Sequence, residues 1–469
     1  MSILEKLFVP KKKGLNIIIV GAGKVGITLA DMLTQEGNNI VIIDKNQTLV
    51  NRLSTTYDIM GIVGNGSSYS TLIEAGIENA DIMIAVTDSD ELNLLCCTLA
   101  KKVGNCSSIA RVRTPDYANE LSYLRDKLGI SLIINPELEA AKEINRILHF
   151  NYAMSVNAFA KGAVEMIKFK LSGNCNLIGK KLMDFPKNSV FDNVLICAVE
   201  RNGEITIPNG SYELADGDIV SFIATPKNAY AFFDKIGLGG RGINSVMIIG
   251  GGRTSFYLAN FLCQSGVYVK IIEIDPKRCN DLNELLPDDV MIVNGDGTDE
   301  DLLSQESFEN MDAVIPLTGL DEENVLLSLY AMKTSYNIKA VTKVNHINFS
   351  NVINSLNLGS IVYPRQMTAE IIRTYVRAKK NSIDSNLETM YHIFDDRAVA
   401  IEYKIKMEAK YTNVPLRELN LKDNLLIASI RRDGKSFIPG GDDCFMPGDS
   451  VVFVTTHTGI NSFSDIFKR

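Results

Sequence analysis

One stretch near the start of the chain constrains the fold more than any other. Asn16–Val20 is a short apolar, β-branched run, and Gly21-Ala22-Gly23-Lys24-Val25-Gly26 follows it directly. Apolar residues at helical spacing come next, and a second apolar run, Ile40–Ile43, ends at Asp44. This order predicts a strand, a tight glycine turn, a helix and a second strand.

The three glycines and the acid have distinct physical roles in such a unit. Gly21 makes the turn, Gly23 lets a pyrophosphate approach the backbone, and Gly26 lets the helix pack closely on the strand. The phosphates would lie at the helix N-terminus, where unpaired N–H groups favour anions. Asp44 is placed to accept ribose hydroxyls, and its charge would repel a 2′-phosphate, which predicts NAD rather than NADP. Because Asp44 contacts only the adenosine half, ATP, ADP and AMP remain possible ligands.

Further strand and helix patterns alternate up to about residue 134. Candidate strands are Ile59–Val63, Ile82–Val86, Ser108–Val112 and Ser131–Ile134. Such alternation predicts a doubly wound parallel sheet with helices on both faces, an α/β fold whose ligands bind at the carboxyl ends of the strands.

Polar residues follow these strands where a ligand would bind. They are Asn65 between two glycines, the pair Thr87-Asp88, and Arg111. Taken singly, they are explained by a turn, a helix cap and a solvated surface charge. Because all of them lie at one edge of the predicted sheet, the pattern favours a binding site.

The pattern changes after a helical segment that runs from Pro136 to about Tyr152. Short strand candidates follow at Val164–Leu171, Val194–Glu200, Glu204–Pro208 and Ile219–Ala224, and Asn202-Gly203 is a strong hairpin signal. These features predict a small β-rich lobe closed by a helix.

The whole pattern then repeats. Gly252 follows Gly23 by 229 residues, and Glu273 follows Asp44 by the same distance. An offset of 231 residues relates Thr87 to Thr318, and also relates residues of the β-rich lobes. We therefore predict six segments: a tail at 1–14, a Rossmann lobe at 15–152, a β-rich C-terminal lobe at 153–236, a glycine-rich linker at 237–242, a second Rossmann lobe at 243–380, and a second C-terminal lobe at 381–469.

The two repeats differ at positions that bear on binding. Ser255 replaces Gly26, Arg253 replaces Lys24, and Asp296 replaces Asn65. Because a serine fits against the strand only with a small shift of the helix, we expect the second site to be weaker or to hold a different nucleotide.

Composition excludes several classes of protein. The net charge of −8 provides no basic excess for nucleic acid. No apolar run approaches the roughly 18 residues that cross a bilayer, so we expect a cytoplasmic protein. The eight cysteines include no C-x-x-C pair and the four histidines are far apart, so we expect reduced thiols and no metal site. The first 13 residues are read as a frayed tail or as a short amphipathic contact with a partner or an anionic membrane.

At this point the motifs resemble a known family. The glycine turn, Asp44, Gly64-Asn65-Gly66-Ser67, Ala85–Glu91 and Ile109–Arg113 are similar to those of TrkA, the peripheral regulatory subunits of Trk potassium-uptake systems. That family consists of tandem RCK units, each a Rossmann lobe followed by a small C-terminal lobe. The resemblance extends from Leu15 to the end of the chain.

The resemblance implies binding of NAD(H) or of ATP and ADP, with AMP also possible, and control of potassium transport by a separate membrane pore protein of the TrkH type. It also implies a homotetramer that forms a ring of RCK units at the inner face of the membrane. The family's nucleotide contacts fall on Gly21, Ala22, Gly23, Lys24, Val25, Asp44, Asn65, Thr87, Asp88 and Arg111 in the first repeat, and on Gly250, Gly251, Gly252, Arg253, Thr254, Glu273, Asp296, Thr318, Gly319 and Lys343 in the second.

Two other functions also use a Rossmann lobe. An NAD-dependent oxidoreductase needs a positioned acid or base beside the nicotinamide, and neither the scattered histidines nor a Ser/Tyr-x-x-x-Lys arrangement supplies one. A DNA-binding redox sensor needs a helix-turn-helix module with basic recognition residues, and the sequence has none. A non-enzymatic regulatory protein is therefore favoured.

Overall fold

The computed structural model describes residues 14–115, 120–149, 153–159, 163–173, 175–186, 189–238, 242–335, 338–345, 356, 358–381, 387–394, 397–457, 460 and 462–468. The predicted tail, apart from Gly14, lies outside these residues, as do positions 239–241 of the predicted linker.

The first Rossmann lobe is a six-stranded parallel sheet in the order β3-β2-β1-β4-β5-β6. Its strands are β1 Asn16–Val20, β2 Asn39–Asp44, β3 Met60–Val63, β4 Ile82–Ala85, β5 Ser107–Arg111 and β6 Leu132–Ile134. Its helices are α1 Lys24–Gln35, α2 Gln47–Tyr57, α3 Tyr69–Glu74, α4 Asp90–Val103, α5 Leu121–Leu128 and α6 Pro136–His149. The predicted α/β fold and the glycine turn between β1 and α1 are confirmed.

The first C-terminal lobe is a five-stranded antiparallel sheet in the order β10-β9-β11-β8-β7. Its elements are β7 Ala153–Phe159, β8 Val164–Lys170, β9 Val194–Arg201, β10 Glu204–Thr206, β11 Ile219–Ala224 and α7 Pro226–Phe233. Asn202 and Gly203 both have positive φ, at 53° and 83°, as a tight hairpin between β9 and β10 requires. Strand β7 was not predicted from the sequence.

The second repeat has the same architecture. Its parallel sheet has the order β14-β13-β12-β15-β16-β17 and its antiparallel sheet the order β18-β19-β22-β20-β21. The parallel strands are β12 Ser245–Ile249, β13 Tyr268–Glu273, β14 Val290–Asn294, β15 Ala313–Pro316, β16 Lys339–Lys343 and β17 Ser360–Val362; the antiparallel strands are β18 Leu387–Ile393, β19 Ala398–Lys404, β20 Leu425–Arg432, β21 Lys435–Phe437 and β22 Ser450–Thr455. The helices are α8 Arg253–Gln264, α9 Pro276–Leu285, α10 Glu300–Gln305, α11 Asp321–Thr334 and α12 Pro364–Asn381.

The duplication extends to individual hydrogen bonds. In the first C-terminal lobe the Arg201 guanidinium donates to both oxygens of buried Asp218, at 2.7 Å each. Arg432 contacts Asp449 in the second lobe with the same geometry, at 2.9 and 2.7 Å. Arg432 follows Arg201 by 231 residues, and Asp449 follows Asp218 by the same number. The duplication predicted from the sequence is therefore confirmed in both kinds of lobe.

The two repeats exchange a helix. Helix α6 leaves the first sheet and packs against α8, where Ile144, Ile147 and Leu148 join the core of the second Rossmann lobe. Helix α12 makes the reciprocal contact, and its Ala369 and Ile372 are buried in the core of the first lobe against α1. Each parallel sheet is therefore completed by a helix from the other repeat.

An ionic cluster fixes α12 on α1. Glu36, at the C-terminus of α1, lies 2.6 Å from Nη2 of Arg377 and 3.4 Å from Nε of Arg373. Lys380 donates to the backbone oxygen of Glu36 at 2.9 Å, where the helix dipole favours a cation. The second repeat has Ser265 at the position of Glu36, so the end of α8 offers α6 no matching carboxylate. The ionic cluster therefore fixes α12, and the described residues show no counterpart at α6.

Removing the carboxylate charge should loosen this contact. We expect Glu36→Gln to lower the free energy of unfolding by about 2 kcal/mol, because the partly buried guanidinium of Arg377 loses the carboxylate that lies 2.6 Å away. Arg373 keeps its ion pair with Glu370 at 3.1 Å. Urea unfolding followed by circular dichroism measures the change. Lys142→Gln, which breaks a half-buried pair with Glu139 at 2.7 Å within α6, is the control and should change stability by less than about 0.5 kcal/mol. Equal effects of the two substitutions would contradict the proposed importance of the cluster.

A second titratable cluster lies where α6 meets the first C-terminal lobe. Burial raises the pKa of Glu143 to about 7, although Nη1 of Arg146 lies 3.1 Å from its carboxylate and lowers that pKa. Burial also raises the pKa of Glu165 on β8. The folded chain therefore holds a proton on Glu143 at pH values where the unfolded chain has lost it.

This difference predicts the sign of a pH effect. Between pH 4.5 and about 7 the folded state binds more protons at Glu143, so stability should fall as the pH rises through that window. Glu143→Gln should remove about 2 kcal/mol of this pH dependence, measured by urea unfolding at several pH values. Glu139→Gln, one turn earlier on α6, should leave the pH dependence as it is in the parent chain. Equal pH dependence of stability in the parent chain and in the Glu143→Gln chain would contradict the prediction.

Candidate functional site

The first glycine turn is bonded directly to the acid that ends β2. Gly21 has φ of 106°, and its N–H donates to the Ile43 carbonyl at 2.9 Å. The Ala22 N–H donates to Oδ2 of Asp44 at 2.6 Å, and the Asn46 N–H donates to Oδ1 at 2.8 Å. Asp44 therefore has a fixed orientation beside the turn, and its oxygens keep lone pairs for ribose hydroxyls.

The second turn repeats this geometry. Gly250 has φ of 99°, and its N–H donates to the Ile272 carbonyl at 2.8 Å. The Gly251 N–H donates to Oε2 of Glu273 at 2.5 Å, and the Asp275 N–H donates to Oε1 at 2.8 Å. The longer glutamate thus reaches the same position relative to the turn as Asp44.

The helix N-termini at both turns are suited to phosphate. Gly23 and Gly252 precede α1 and α8, and in the described part of the chain no side chain caps either helix. Lys24 and Arg253 are exposed in the first turn of their helices, whereas Val25 and Thr254 are buried. Each turn therefore presents backbone N–H groups and one cation to an anion.

The replacement of Gly26 by Ser255 has a visible structural consequence. A Cβ placed on Gly26 would lie 1.9 Å from the Gly21 carbonyl oxygen, so the first helix packs too closely for any side chain. Ser255 is fully buried, and its hydroxyl donates to the Gly250 carbonyl at 2.5 Å. The second turn is thus tied to its helix by a side-chain hydrogen bond that the first turn lacks.

Thr87, Asp88 and Arg111 meet at the carboxyl ends of β4 and β5, as predicted. Nη2 of Arg111 donates to the Thr87 carbonyl at 2.5 Å and to Oδ1 of Asp88 at 3.2 Å. The Thr87 hydroxyl contacts buried Asn93 at 2.7 Å. Arg111 is only 9% exposed, so it is not the solvated surface charge that was one interpretation of the sequence.

The second repeat keeps part of this arrangement. The Thr318 hydroxyl contacts Asn324 at 3.0 Å, and Nζ of Lys343 donates to the Leu317 carbonyl at 2.8 Å. Burial lowers the pKa of Lys343 to about 8. Exposed Gly319 stands where the first repeat has Asp88, so this edge lacks the carboxylate that holds Arg111.

Asn65 and Asp296 stabilise the turns after β3 and β14. Oδ1 of Asn65 accepts from the Ser67 N–H at 3.2 Å, and Oδ1 of Asp296 accepts from the Thr298 N–H at 2.9 Å. The hydrogen bonds that Thr298 donates lower the pKa of Asp296. Turn formation therefore accounts for both residues in this structure, and their contact with a nucleotide stays a prediction.

Sequence reasoning missed residues that join the two sites. Tyr257 of α8 accepts a hydrogen bond from Asn135 at 2.9 Å, and its hydroxyl lies 3.4 Å from the Arg113 carbonyl. It also missed Arg278 of α9, whose Nε donates to the Gly251 carbonyl at 2.7 Å. A comparison of the repeats offers a signal for Arg278, because the corresponding residue of the first repeat is Leu49.

Several other predictions concern absent features. Among the described residues no group of three or more His, Cys, Asp or Glu side chains could hold a metal ion. All eight cysteines are free thiols. His346 and the side chain of His392 lie outside the described part of the chain. Within that part, no helix has the length and apolar character needed to cross a membrane.

Family comparison agrees with the two repeated lobes. Residues 17–136 and 246–364 match the model of the TrkA-N domain, and residues 166–237 and 400–468 match the model of the TrkA-C domain. The chain belongs to the TrkA family. The predicted order of four lobes is thereby confirmed.

Two curated TrkA relatives match over nearly their whole length. The Trk system potassium uptake protein TrkA of Haemophilus influenzae is 30% identical, with 93% of this chain and 95% of the relative covered. TrkA homolog 1 of Methanosarcina mazei, also named a Trk system potassium uptake protein, is 29% identical, with 97% and 100% covered.

Solved structures share the fold. The GsuK channel bound to NAD has a TM-score of 0.62 at 17% identity, with 98% of this chain and 80% of that chain covered. The GsuK RCK domain also has a TM-score of 0.62 at 17% identity, with 95% and 93% covered. This similarity establishes tandem RCK architecture for the TrkA-family chain.

The geometry at Asp44 leads to a binding prediction. We expect Asp44→Ala to weaken NAD, ATP, ADP and AMP at the first site by about tenfold each, because the carboxylate contacts the ribose that all four share. Isothermal titration calorimetry measures the affinities. Asp31→Ala, which removes a partly exposed carboxylate on α1 that accepts a hydrogen bond from Gln35, is the control. An unchanged affinity for every nucleotide would refute the assignment of Asp44.

Proposed function

We propose that this TrkA-family chain is a cytoplasmic, nucleotide-binding regulatory subunit that gates a potassium-uptake system. The observation that carries the proposal is the repeated contact between a glycine-turn N–H and an acid, at Asp44 and at Glu273. Both contacts leave an uncapped helix N-terminus beside a fixed carboxylate, which suits the phosphates and ribose of one nucleotide.

The ligand of the first site is an adenosine nucleotide: NAD or NADH, with ATP, ADP and AMP as alternatives. Solved relatives of the fold include GsuK channels bound to NAD and to ADP. In the first repeat, the nucleotide contacts are the glycine turn, Asp44 and the edge formed by Thr87, Asp88 and Arg111. Asp44 favours NAD over NADP because its charge opposes a 2′-phosphate.

A regulatory role is favoured over oxidoreductase activity by the chemistry at the edge of the first sheet. Arg111 donates to Asp88 and to the Thr87 carbonyl, and a guanidinium stays protonated and does not act as a base for hydride transfer. The two histidines with described side chains contact backbone carbonyls elsewhere, His149 on α6 and His457 after β22. Binding without turnover is the simplest use of such a site.

The partner is a separate integral membrane potassium transporter subunit of the TrkH type. Relatives over the full length of the chain are named Trk system potassium uptake proteins, which supports this assignment. The chain would act at the inner face of the membrane as a homotetramer, in which the RCK units form a ring beneath the pore.

Nucleotide binding can gate the pore only through unequal affinity for two shapes of the ring. Moving a gate from 1:99 to 99:1 takes about 10⁴-fold total preference, which four coupled sites supply at roughly tenfold each. Repetition of a modest site around a ring therefore gives a large response.

The first repeat should carry most of this response, because its Gly26 is intact and its edge holds both Asp88 and Arg111. In liposomes that contain the pore protein, Asp44→Ala should shift nucleotide-dependent potassium flux to about tenfold higher nucleotide concentration, whereas Glu273→Ala should shift it by less. Flux is measured with a potassium-sensitive dye over a range of ATP, ADP and NADH concentrations.

Two outcomes would count against this function. Loss of the response in Glu273→Ala with a full response in Asp44→Ala would reverse the assigned roles of the repeats. Steady consumption of NADH by the purified chain with a carbonyl substrate, abolished by Asp44→Ala, would favour an oxidoreductase.

A further inference from the structure

The second glycine turn opens onto a cavity that both repeats line. The cavity has a volume of about 670 Å³ and is lined by Gly252, Arg253 and Phe256 of the α8 region, Arg278 and Leu285 of α9, and Thr114 and Pro115 of the first repeat. Among these described residues there are two guanidinium groups and no carboxylate. Such a lining favours an anionic ligand.

Arg278 is fixed against the glycine turn. Nε of Arg278 donates to the Gly251 carbonyl at 2.7 Å. The Gly251 N–H in turn donates to Oε2 of Glu273 at 2.5 Å. The guanidinium and the ribose-binding carboxylate are thus joined through Gly251. The nearest acid, Asp281, is 3.9 Å from Nη1 of Arg278 and about half exposed, so its contact leaves N–H groups of Arg278 available to a ligand.

Arg253 supplies the second cation. It is exposed in the first turn of α8, directly after Gly252. Burial raises the pKa of the Glu137 carboxyl of α6, and the charge of Arg253 partly offsets that rise. A planar guanidinium presents paired donors to phosphate oxygens, which a lysine at the same position cannot do. Its neighbours in the cavity therefore include a second guanidinium and a helix N-terminus.

The first repeat has no equivalent of this pair. Arg278 lies three residues after Asp275, the N-cap of α9, and Leu49 lies three residues after Asn46, the N-cap of α2. Leu49 packs against the apolar core of the first Rossmann lobe. At these two matched positions the first repeat has Lys24 and Leu49, whereas the second repeat has Arg253 and Arg278.

From these contacts we infer that the second repeat selects a nucleotide with an additional phosphate group, which Arg253 and Arg278 hold in this cavity. The inference rests on the proposed nucleotide-binding function and makes Arg278 a specificity-determining residue. The additional phosphate is supplied either by the terminal phosphates of ATP or by the 2′-phosphate of NADP. In the second case the charge of Arg278 would offset the repulsion between Glu273 and the 2′-phosphate.

The opposite wall of the cavity makes this ligand a contact between repeats. The hydroxyl and N–H of Thr114 both donate to Oδ2 of buried Asp90, at 2.7 and 2.8 Å, so the wall is held rigidly by the first repeat. A phosphate between the arginines therefore lies against a fixed surface of the other repeat. Its binding would draw the two repeats together.

The test uses the full chain with Asp44→Ala, which weakens the first site and so increases the share of the binding signal that comes from the second site. Calorimetry compares AMP, NAD, ATP and NADP before and after Arg278→Leu, which installs the residue of the first repeat. We expect Arg278→Leu to weaken ATP or NADP by about tenfold and to leave AMP and NAD nearly unchanged. Which of the two loses affinity identifies the phosphate.

Other results of that experiment would overturn the inference. Equal losses for all four nucleotides, or no loss for any, would show that Arg278 does not select an additional phosphate. If the Asp44→Ala chain bound none of the four, the second site would not be a nucleotide site, and that part of the proposed function would fail as well.

A reciprocal substitution distinguishes a lost phosphate contact from a change in packing caused by Arg278→Leu. Leu49→Arg in a chain with Glu273→Ala should raise the affinity of the first site for the same phosphate-rich nucleotide relative to AMP. A variant that remains folded by circular dichroism and shows no such gain would contradict the assignment.

Discussion

The exchange of α6 and α12 between repeats is the contact on which the rest of the molecule depends. Each parallel sheet buries its core residues only when a helix from the other repeat covers it, so neither Rossmann lobe has a complete core alone. The contact also brings the glycine turn of the second repeat close to Arg113 and Thr114 of the first. The burial of apolar helix faces therefore sets the positions of the two candidate sites. The polar contacts between repeats form because this burial brings their donors and acceptors together.

Much of the fold follows from local sequence pattern. The run Asn16–Val20 and the glycines after it predict the strand and turn because backbone geometry allows little else, and the hairpin at Asn202-Gly203 is fixed by positive φ in the same way. The surface against which α6 packs cannot be predicted in this way. The apolar face of a helix indicates that the face is buried, but it does not indicate which surface covers it. Strand β7 was missed because Ala153–Phe159 mixes polar and small residues without clear alternation.

The candidate sites were predictable to a similar extent. Asp44 and Glu273 follow from their spacing after a glycine turn, and the structure places both within hydrogen-bond distance of that turn. Arg278 belongs to no motif, since its importance comes from reaching back from α9 to the Gly251 carbonyl. Arg111 was assigned to the correct edge of the sheet, but its burial and its bond to Asp88 depend on tertiary packing that spacing cannot reveal.

Covalent linkage of the two repeats allows a form of asymmetry that a pair of identical subunits cannot have. In a symmetric homodimer, every substitution appears on both sides of the interface, so an arginine at one nucleotide turn must also appear at the other. Here Arg278 and Leu49 occupy matched positions, and Glu36 is matched by Ser265, so each side of the exchanged interface has its own chemistry. If the proposed ring forms from such chains, its two kinds of candidate site alternate strictly around it.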